Sequence, residues 1–225
     1  MKKDTKLLSR REFSTTCMVI SSFVASSGAS ALGAATTALA PTGVGRSVKF
    51  RDGTVVSALG QGSARLAHGR RPQAEEEEAL RTGFSLSMML IDTAESYGSE
   101  ELIGRAIAGQ RDRVFLVSKV SANHVGGNGI AREASLTRLG TDYLDLYLLH
   151  WPNGITDFAG VVNAFENLRS AGKIHAWGVS NFNVSQLQKL FRVPHGDRCA
   201  TNQSLTIWLT APLNMTYCHG VSSTA

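Results

Sequence analysis

The chain has 225 residues, 43% hydrophobic and 18% charged, enough for one sizeable core and ordinary for a soluble globular protein. Its formal charge of +5 is partly local, because residues 1–40 hold five basic and two acidic groups; the remaining 18 basic and 16 acidic residues give +2, which excludes a nucleic-acid surface. The three cysteines, Cys17, Cys199 and Cys218, have no metal spacing and make no disulfide framework, so no metal site is expected.

Lys2, Lys3 and Lys6 precede the run S-R-R-E-F (Ser9 to Phe13), and a weakly apolar stretch rich in Ala, Ser and Thr follows from Cys17 to Ala40. This resembles a bacterial twin-arginine export signal. It implies that residues 1–40 are a disordered or cleaved signal, that the twin-arginine export machinery is a partner, and that the destination is the periplasm or beyond. Ser, Thr and Gly run through the apolar stretch and make it a poor transmembrane helix. No stable membrane insertion of the mature chain is expected.

Val48 to Val56 reads as a short hairpin turning at Asp52-Gly53. A further strand, Val56 to Leu59, leads into G-Q-G-S-A-R-L (Gly60 to Leu66), whose glycines suit a tight loop close to a ligand. Glu75 to Phe84 is a helix, and its run Glu75 to Glu78 reads as a solvated first turn. The apolar run Met88 to Ile91 is a strand ending at Asp92. Tyr97 follows in a loop, and a helix runs from Ser99, a plausible N-cap, to Ala108, with Glu100 and Glu101 in its first turn. Next come a strand Val114 to Val117 ending at Ser118-Lys119, an amphipathic helix Ile130 to Leu139 closed by Gly140, and a strand Leu144 to Leu149 ending at His150. A helix Phe158 to Ala171, a strand Ile174 to Val179 ending at Ser180-Asn181, and a helix Val184 to Phe191 complete the series. Ala200 to Asn202 begins another strand.

Strands alternating with helices argue for parallel β/α units, and six strands follow the hairpin. About 185 residues remain after the signal, where a closed (β/α)8 barrel typically needs roughly 250. The fold class is therefore α/β, with the pattern of a (β/α)8 TIM barrel that is incomplete at about six of eight units.

Asp92, Tyr97, Lys119 and His150 fall at or just after the ends of three successive strands, which converge on one face of such a barrel. A tyrosine ionises near pH 10, and a buried ammonium beside it is expected to favour the phenolate and lower that value. A carboxylate keeps the ammonium charged, and a histidine can orient a carbonyl oxygen. The set suits proton donation by Tyr97 to a carbonyl being reduced. No side chain supplies a hydride, so a nicotinamide cofactor is implied.

D-T-A-E-S-Y-G (Asp92 to Gly98), L-V-S-K (Leu116 to Lys119), R-L-G-T-D-Y-L-D-L-Y-L-L-H-W-P (Arg138 to Pro152) and G-K-I-H-A-W-G-V-S-N-F (Gly172 to Phe182) resemble, in order, the signatures of the aldo-keto reductase superfamily. The resemblance covers about residues 47–203. It implies an NADP(H)-dependent oxidoreductase that reduces a small aldehyde or ketone on a (β/α)8 barrel. By matched position Tyr97 is the acid, Lys119 and Asp92 tune it, and His150 orients the substrate. Ser180, Asn181 and Gln203 would hold the nicotinamide carboxamide, and Trp151 would line the substrate pocket.

The resemblance stops at Asn202-Gln203. Reading the codons of Asn214 to Gly220 one nucleotide upstream allows E-Y-D-L-L-P-W, a familiar segment of this family. Residues 204–225 are thus expected to be out of frame, and the barrel to lack its last quarter, with weak or no activity. Other classes compatible with the sequence are a cofactor-binding regulatory protein without significant turnover and a non-functional fragment.

Overall fold

The computed structural model describes residues 47–50, 53–125 and 130–204. The expected signal, Asp52 of the hairpin turn, residues 205–225 of the tail expected to be out of frame, Cys17 and Cys218 lie outside the described residues.

The hairpin forms as read. β1 (Ser47–Lys49) pairs antiparallel with β2 (Val55–Ser57), with Val48 opposite Val56. The next expectation fails. The strand read as Val56 to Leu59 ends at Ser57, and the glycines read as loop form β3 (Gly60–Gly62), the first strand of the main sheet. A Cβ on Gly60 would meet the Leu90 side chain at 2.5 Å and the Leu90 carbonyl oxygen at 3.2 Å. Glycine is present because two strands approach closely, not because the chain turns.

The remaining elements fall within a residue or two of their sequence-based bounds. They are α1 (Gln73–Ser85), β4 (Leu90–Asp92), α2 (Glu100–Ile107), β5 (Phe115–Val120), α3 (Ile130–Leu139), β6 (Leu144–Leu149), α4 (Phe158–Ser170), β7 (Ile174–Ser180), α5 (Val184–Phe191) and β8 (Asn202–Gln203). Strands β3 to β8 form one parallel sheet in sequence order, as in an unclosed barrel wall. Two helix starts are fixed locally. Asp157 accepts from the Gly160 N–H before α4, and Asn183 and Gln186 form a reciprocal capping box before α5. No helix among the described residues is long and apolar enough to cross a membrane.

The strands alternate between two apolar environments. Tyr147 and Leu149 of β6 join Leu116 and Trp177 on the helix-facing side, packed with Ile103, Leu139, Phe165 and Leu190. Leu146 and Leu148 face the other way, with Val117, Leu90 and Ala176. The sheet is strongly curved. β4 and β8 are four strand spacings apart, about 19 Å if the sheet were flat, yet Gln203 Nε2 donates to Asp92 Oδ1 at 3.2 Å.

The acidic run on α1 is not wholly solvated. Glu76 is buried, and its Oε2 accepts the Ala67 N–H at 2.8 Å. Glu77 bonds Arg105 at 2.6 Å across to α2. A charge run reads as solvent-facing only until one of its members finds a backbone donor under the helix.

Glu166 of α4 is a polar tie from helix to sheet. It accepts the Trp177 indole N–H at 2.8 Å and pairs with Arg169 at 2.8 Å and Arg198 at 2.6 Å, while Phe165 stacks on Trp177. Burial opposes ionisation of Glu166, but the hydrogen bonds from Arg169, Trp177 and Arg198 outweigh it and hold the carboxyl at about 2. Because the folded value lies below the unfolded one, this carboxylate's stabilisation is present above pH 4.5 and is lost as pH falls toward 2. Glu166→Ala strands the buried indole N–H and should cost about 1–3 kcal/mol in urea denaturation at pH 7. The difference from the parent should shrink below pH 4.

Candidate active site

The site is built where β4, β5, β6 and β7 end. Asp92 is the last residue of β4, and its pairing with Val117 sets Lys119 two residues further along β5. The Lys119 side chain is 3% exposed. Its Nζ donates to both Asp92 carboxylate oxygens at 2.7 Å and to the Thr93 carbonyl at 2.9 Å, so all three ammonium protons are matched. Burial holds the Lys119 pKa below its ordinary value even with Asp92 drawing it upward.

Tyr97 ends a single 3-10 turn, Glu95–Tyr97, that brings its ring over the ion pair. Lys119 Nζ lies 5.1 Å from the ring centroid. The phenol oxygen is 3.5 Å from His150 Nε2, with the two rings edge to face at 5.5 Å. The expected lowering of the Tyr97 pKa is reversed. Burial, and then the Asp92 charge, hold it above its ordinary value. Tyr97 therefore stays protonated through neutral pH. Burial, and then the Lys119 charge, lower the His150 pKa, so the imidazole is neutral at pH 7.

The residues after β7 and β8 join the same rim. Buried Ser180 donates to the Gln203 carbonyl at 2.7 Å. Asn181 Nδ2 donates to the His150 carbonyl at 3.1 Å and to Ser180 Oγ at 3.0 Å, and the Asn181 backbone is left-handed at φ +62°. Trp151 is half exposed and stacks beside His150. All eight residues singled out in the sequence are thus on one rim. The three side chains read as a carboxamide cradle, Ser180, Asn181 and Gln203, offer hydroxyl and amide groups that both donate and accept, as a carboxamide requires.

Several contributors escaped the sequence reading. The buried hydroxyls of Ser63, Thr93 and Ser99 form a chain, with Ser99 donating to Ser63 at 2.9 Å, Thr93 3.1 Å from Ser99, and Ser63 donating to the Asp92 carbonyl at 3.0 Å. Ser99 thus stands at the N-cap of α2 without capping it; its hydroxyl is taken by this chain. Glu95 accepts the Ser121 N–H at 2.6 Å and lies 3.0 Å from His124 Nδ1. The one available signal was hydroxyls in D-T-A-E-S-Y-G-S-E among apolar neighbours. Among the described residues, no cluster of His, Cys, Asp and Glu could hold a metal ion.

The sequence profile described as the Aldo/keto reductase family matches residues 58–211. The chain is 46% identical over 163 residues to methylglyoxal reductase YeaE of Escherichia coli (strain K12), covering 70% of this chain and 57% of that protein. It is 39% identical over 125 residues to aldo-keto reductase YhdN of Bacillus subtilis (strain 168), covering 49% and 38%. Two crystal structures of Klebsiella pneumoniae aldo-keto reductases resemble it. One, in complex with NADPH, has a TM-score of 0.68 at 44% identity over 72% of this chain and 59% of that one. The other, with NADP and acetate, has a TM-score of 0.69 at 40% identity over 77% and 65%. The chain spans about half the length of the curated relatives it matches. With that profile across two thirds of its residues, and a parallel sheet whose strand ends carry Asp92, Lys119 and His150, the chain belongs to the aldo/keto reductase family.

Proposed function

We propose that the chain carries a carbonyl-reducing site that takes NADP(H). The observation that carries this reading is the neutral Tyr97 phenol held between His150 and the Lys119–Asp92 pair. The NADPH and NADP named for the two Klebsiella proteins, and the small dicarbonyl in the name of YeaE, support the cofactor and the substrate class. Ser180, Asn181 and Gln203 would hold the carboxamide of the nicotinamide. When bound, the reduced nicotinamide supplies the hydride.

The protein's own groups handle the proton and the charge. Tyr97 donates its phenolic proton to the carbonyl oxygen as that oxygen gains negative charge. Neutral His150 orients the same oxygen through a nitrogen-bound proton. Lys119 lies close enough to stabilise the phenolate left behind, and Asp92 fixes Lys119 while balancing its charge. Trp151 walls the substrate beside His150.

Tyr97→Phe should lower the rate of NADPH oxidation with a small aldehyde by at least about 10²-fold, with NADPH affinity changed less than twofold. Because the folded Tyr97 pKa is raised, the parent's rate should stay level through neutral pH and fall only above pH 10. Tight NADPH binding with negligible turnover across carbonyl substrates would point instead to a cofactor-binding regulatory role.

Two further readings rest on sequence. The paired Arg10 and Arg11 and the mild apolar run after them support twin-arginine export, so replacing both by lysine should retain the protein in the cytoplasm on fractionation. The codons allowed by Asn214 to Gly220 support a single-nucleotide frame shift near codon 203, with slow turnover by the 225-residue chain as its consequence. A fresh DNA read across codons 195–225 should then show reductase sequence continuing in the shifted frame.

A further inference from the structure

We propose that the segment from Ser63 to Arg71 is an anion-receiving edge of the active-site rim, and that the substrate is an aldehyde or ketone that also carries a carboxylate. This rests on the carbonyl-reductase reading above and narrows its substrate class. The segment, S-A-R-L-A-H-G-R-R, holds three arginines and a histidine and no acidic residue.

Its position is fixed at two points, Ser63 and His68, by residues of the site. The Ser63 N–H and hydroxyl both donate to the Asp92 carbonyl at 3.0 Å. His68 Nε2 lies 3.3 Å from the Tyr97 carbonyl oxygen. Arg65 lies between these two anchors in sequence, in the turn that the Leu66 N–H closes on the Ser63 carbonyl. The conformation is specified, not slack. Ala67 is left-handed at φ +60°, which costs a non-glycine residue, and the buried Glu76 carboxylate holds its N–H at 2.8 Å.

The nearby acids are already engaged. Asp92 is matched by Lys119, Glu76 by the Ala67 N–H, and Glu95 by the Ser121 N–H and His124. Among the described residues Arg65 and Arg70 form no ion pair, and Arg71 lies 3.8 Å from Glu75 with both side chains largely exposed. The segment therefore carries guanidinium charge without an ion-pair partner, on a stretch of chain bonded to the Asp92 carbonyl at Ser63 and lying beside the Tyr97 carbonyl at His68. A guanidinium binds a carboxylate through two parallel hydrogen bonds, which an ammonium cannot reproduce.

The test compares succinic semialdehyde with butyraldehyde, which has the same four-carbon length, on the full 225-residue chain and on Arg65→Gln and Arg65→Lys. The parent should prefer the acid-bearing aldehyde in kcat/KM. Arg65→Gln should raise KM for succinic semialdehyde about tenfold, at least five times more than for butyraldehyde, and Arg65→Lys should recover only part of the loss. Equal shifts for both substrates, or no preference in the parent, overturn the proposal. So does a variant that weakens NADPH binding and leaves the substrate ratio alone, since the arginine would then serve the dinucleotide phosphates. If neither aldehyde is turned over, the reductase reading fails separately, and calorimetric binding of succinate decides. Binding weakened by Arg65→Gln supports the anion edge; absent or equal binding overturns it.

Discussion

The bond between Lys119 and Asp92 is the constraint on which the rest of the site depends. An ammonium that is 3% exposed is tolerable only if its protons are all matched, because an unmatched buried charge costs several kcal/mol. Two carboxylate oxygens and the Thr93 carbonyl meet that need. They do so only if β4 and β5 keep their register, so the site holds the sheet in place as much as the sheet holds the site. The hydroxyl chain of Ser63, Thr93 and Ser99 continues the same bracing to β3 and α2. Tyr97 is then set above the pair by a turn with little freedom of its own.

This arrangement decides the resting protonation of the site. An ammonium beside a phenol favours its ionisation. Here the ammonium's protons go to the Asp92 carboxylate and the Thr93 carbonyl, and burial, then the carboxylate's charge, keep the phenol protonated. The ammonium nonetheless stays 5.1 Å from the ring, so it acts most strongly when negative charge develops on the phenol oxygen. Fixed charge that matters more during proton transfer than before it is the arrangement a general acid needs.

Much of this was legible in the sequence because strand ends in a parallel sheet are announced by a polar residue after an apolar run: Asp92 after Ile91, His150 after Leu149, Ser180 after Val179. The helices were legible from their period and, for Ile130–Leu139, from Gly140, which takes the left-handed backbone at φ +61° that ends it. What was not legible shares a cause. β3 is Gly-Gln-Gly and has no side-chain alternation to read. Glu76 looked like its neighbours until a backbone N–H from another segment reached it. The direction of the Tyr97 shift turned on burial of the phenol and on the nearby Asp92 charge, neither of which spacing along the chain encodes. Pattern reveals which face a residue occupies; it does not reveal which of two neighbours on that face it meets.

Curvature supplies the remaining ingredient. On a flat parallel sheet the last residues of β4 and β8 would stand too far apart for two side chains to bridge, and Gln203 would belong to a different site from Asp92. Their contact at 3.2 Å follows from the coil of successive strands rather than from any special loop. The twist that bends the sheet comes from the handedness of the backbone, and the small residues Gly60 and Gly178 let neighbouring strands close up: a Cβ on Gly178 would meet the Thr201 carbonyl oxygen at 2.6 Å. Because the curve is already present across β4 to β8, the proton donor, its ion pair and the candidate carboxamide cradle converge within these five strands. The site's geometry is thus a property of the wall that holds it.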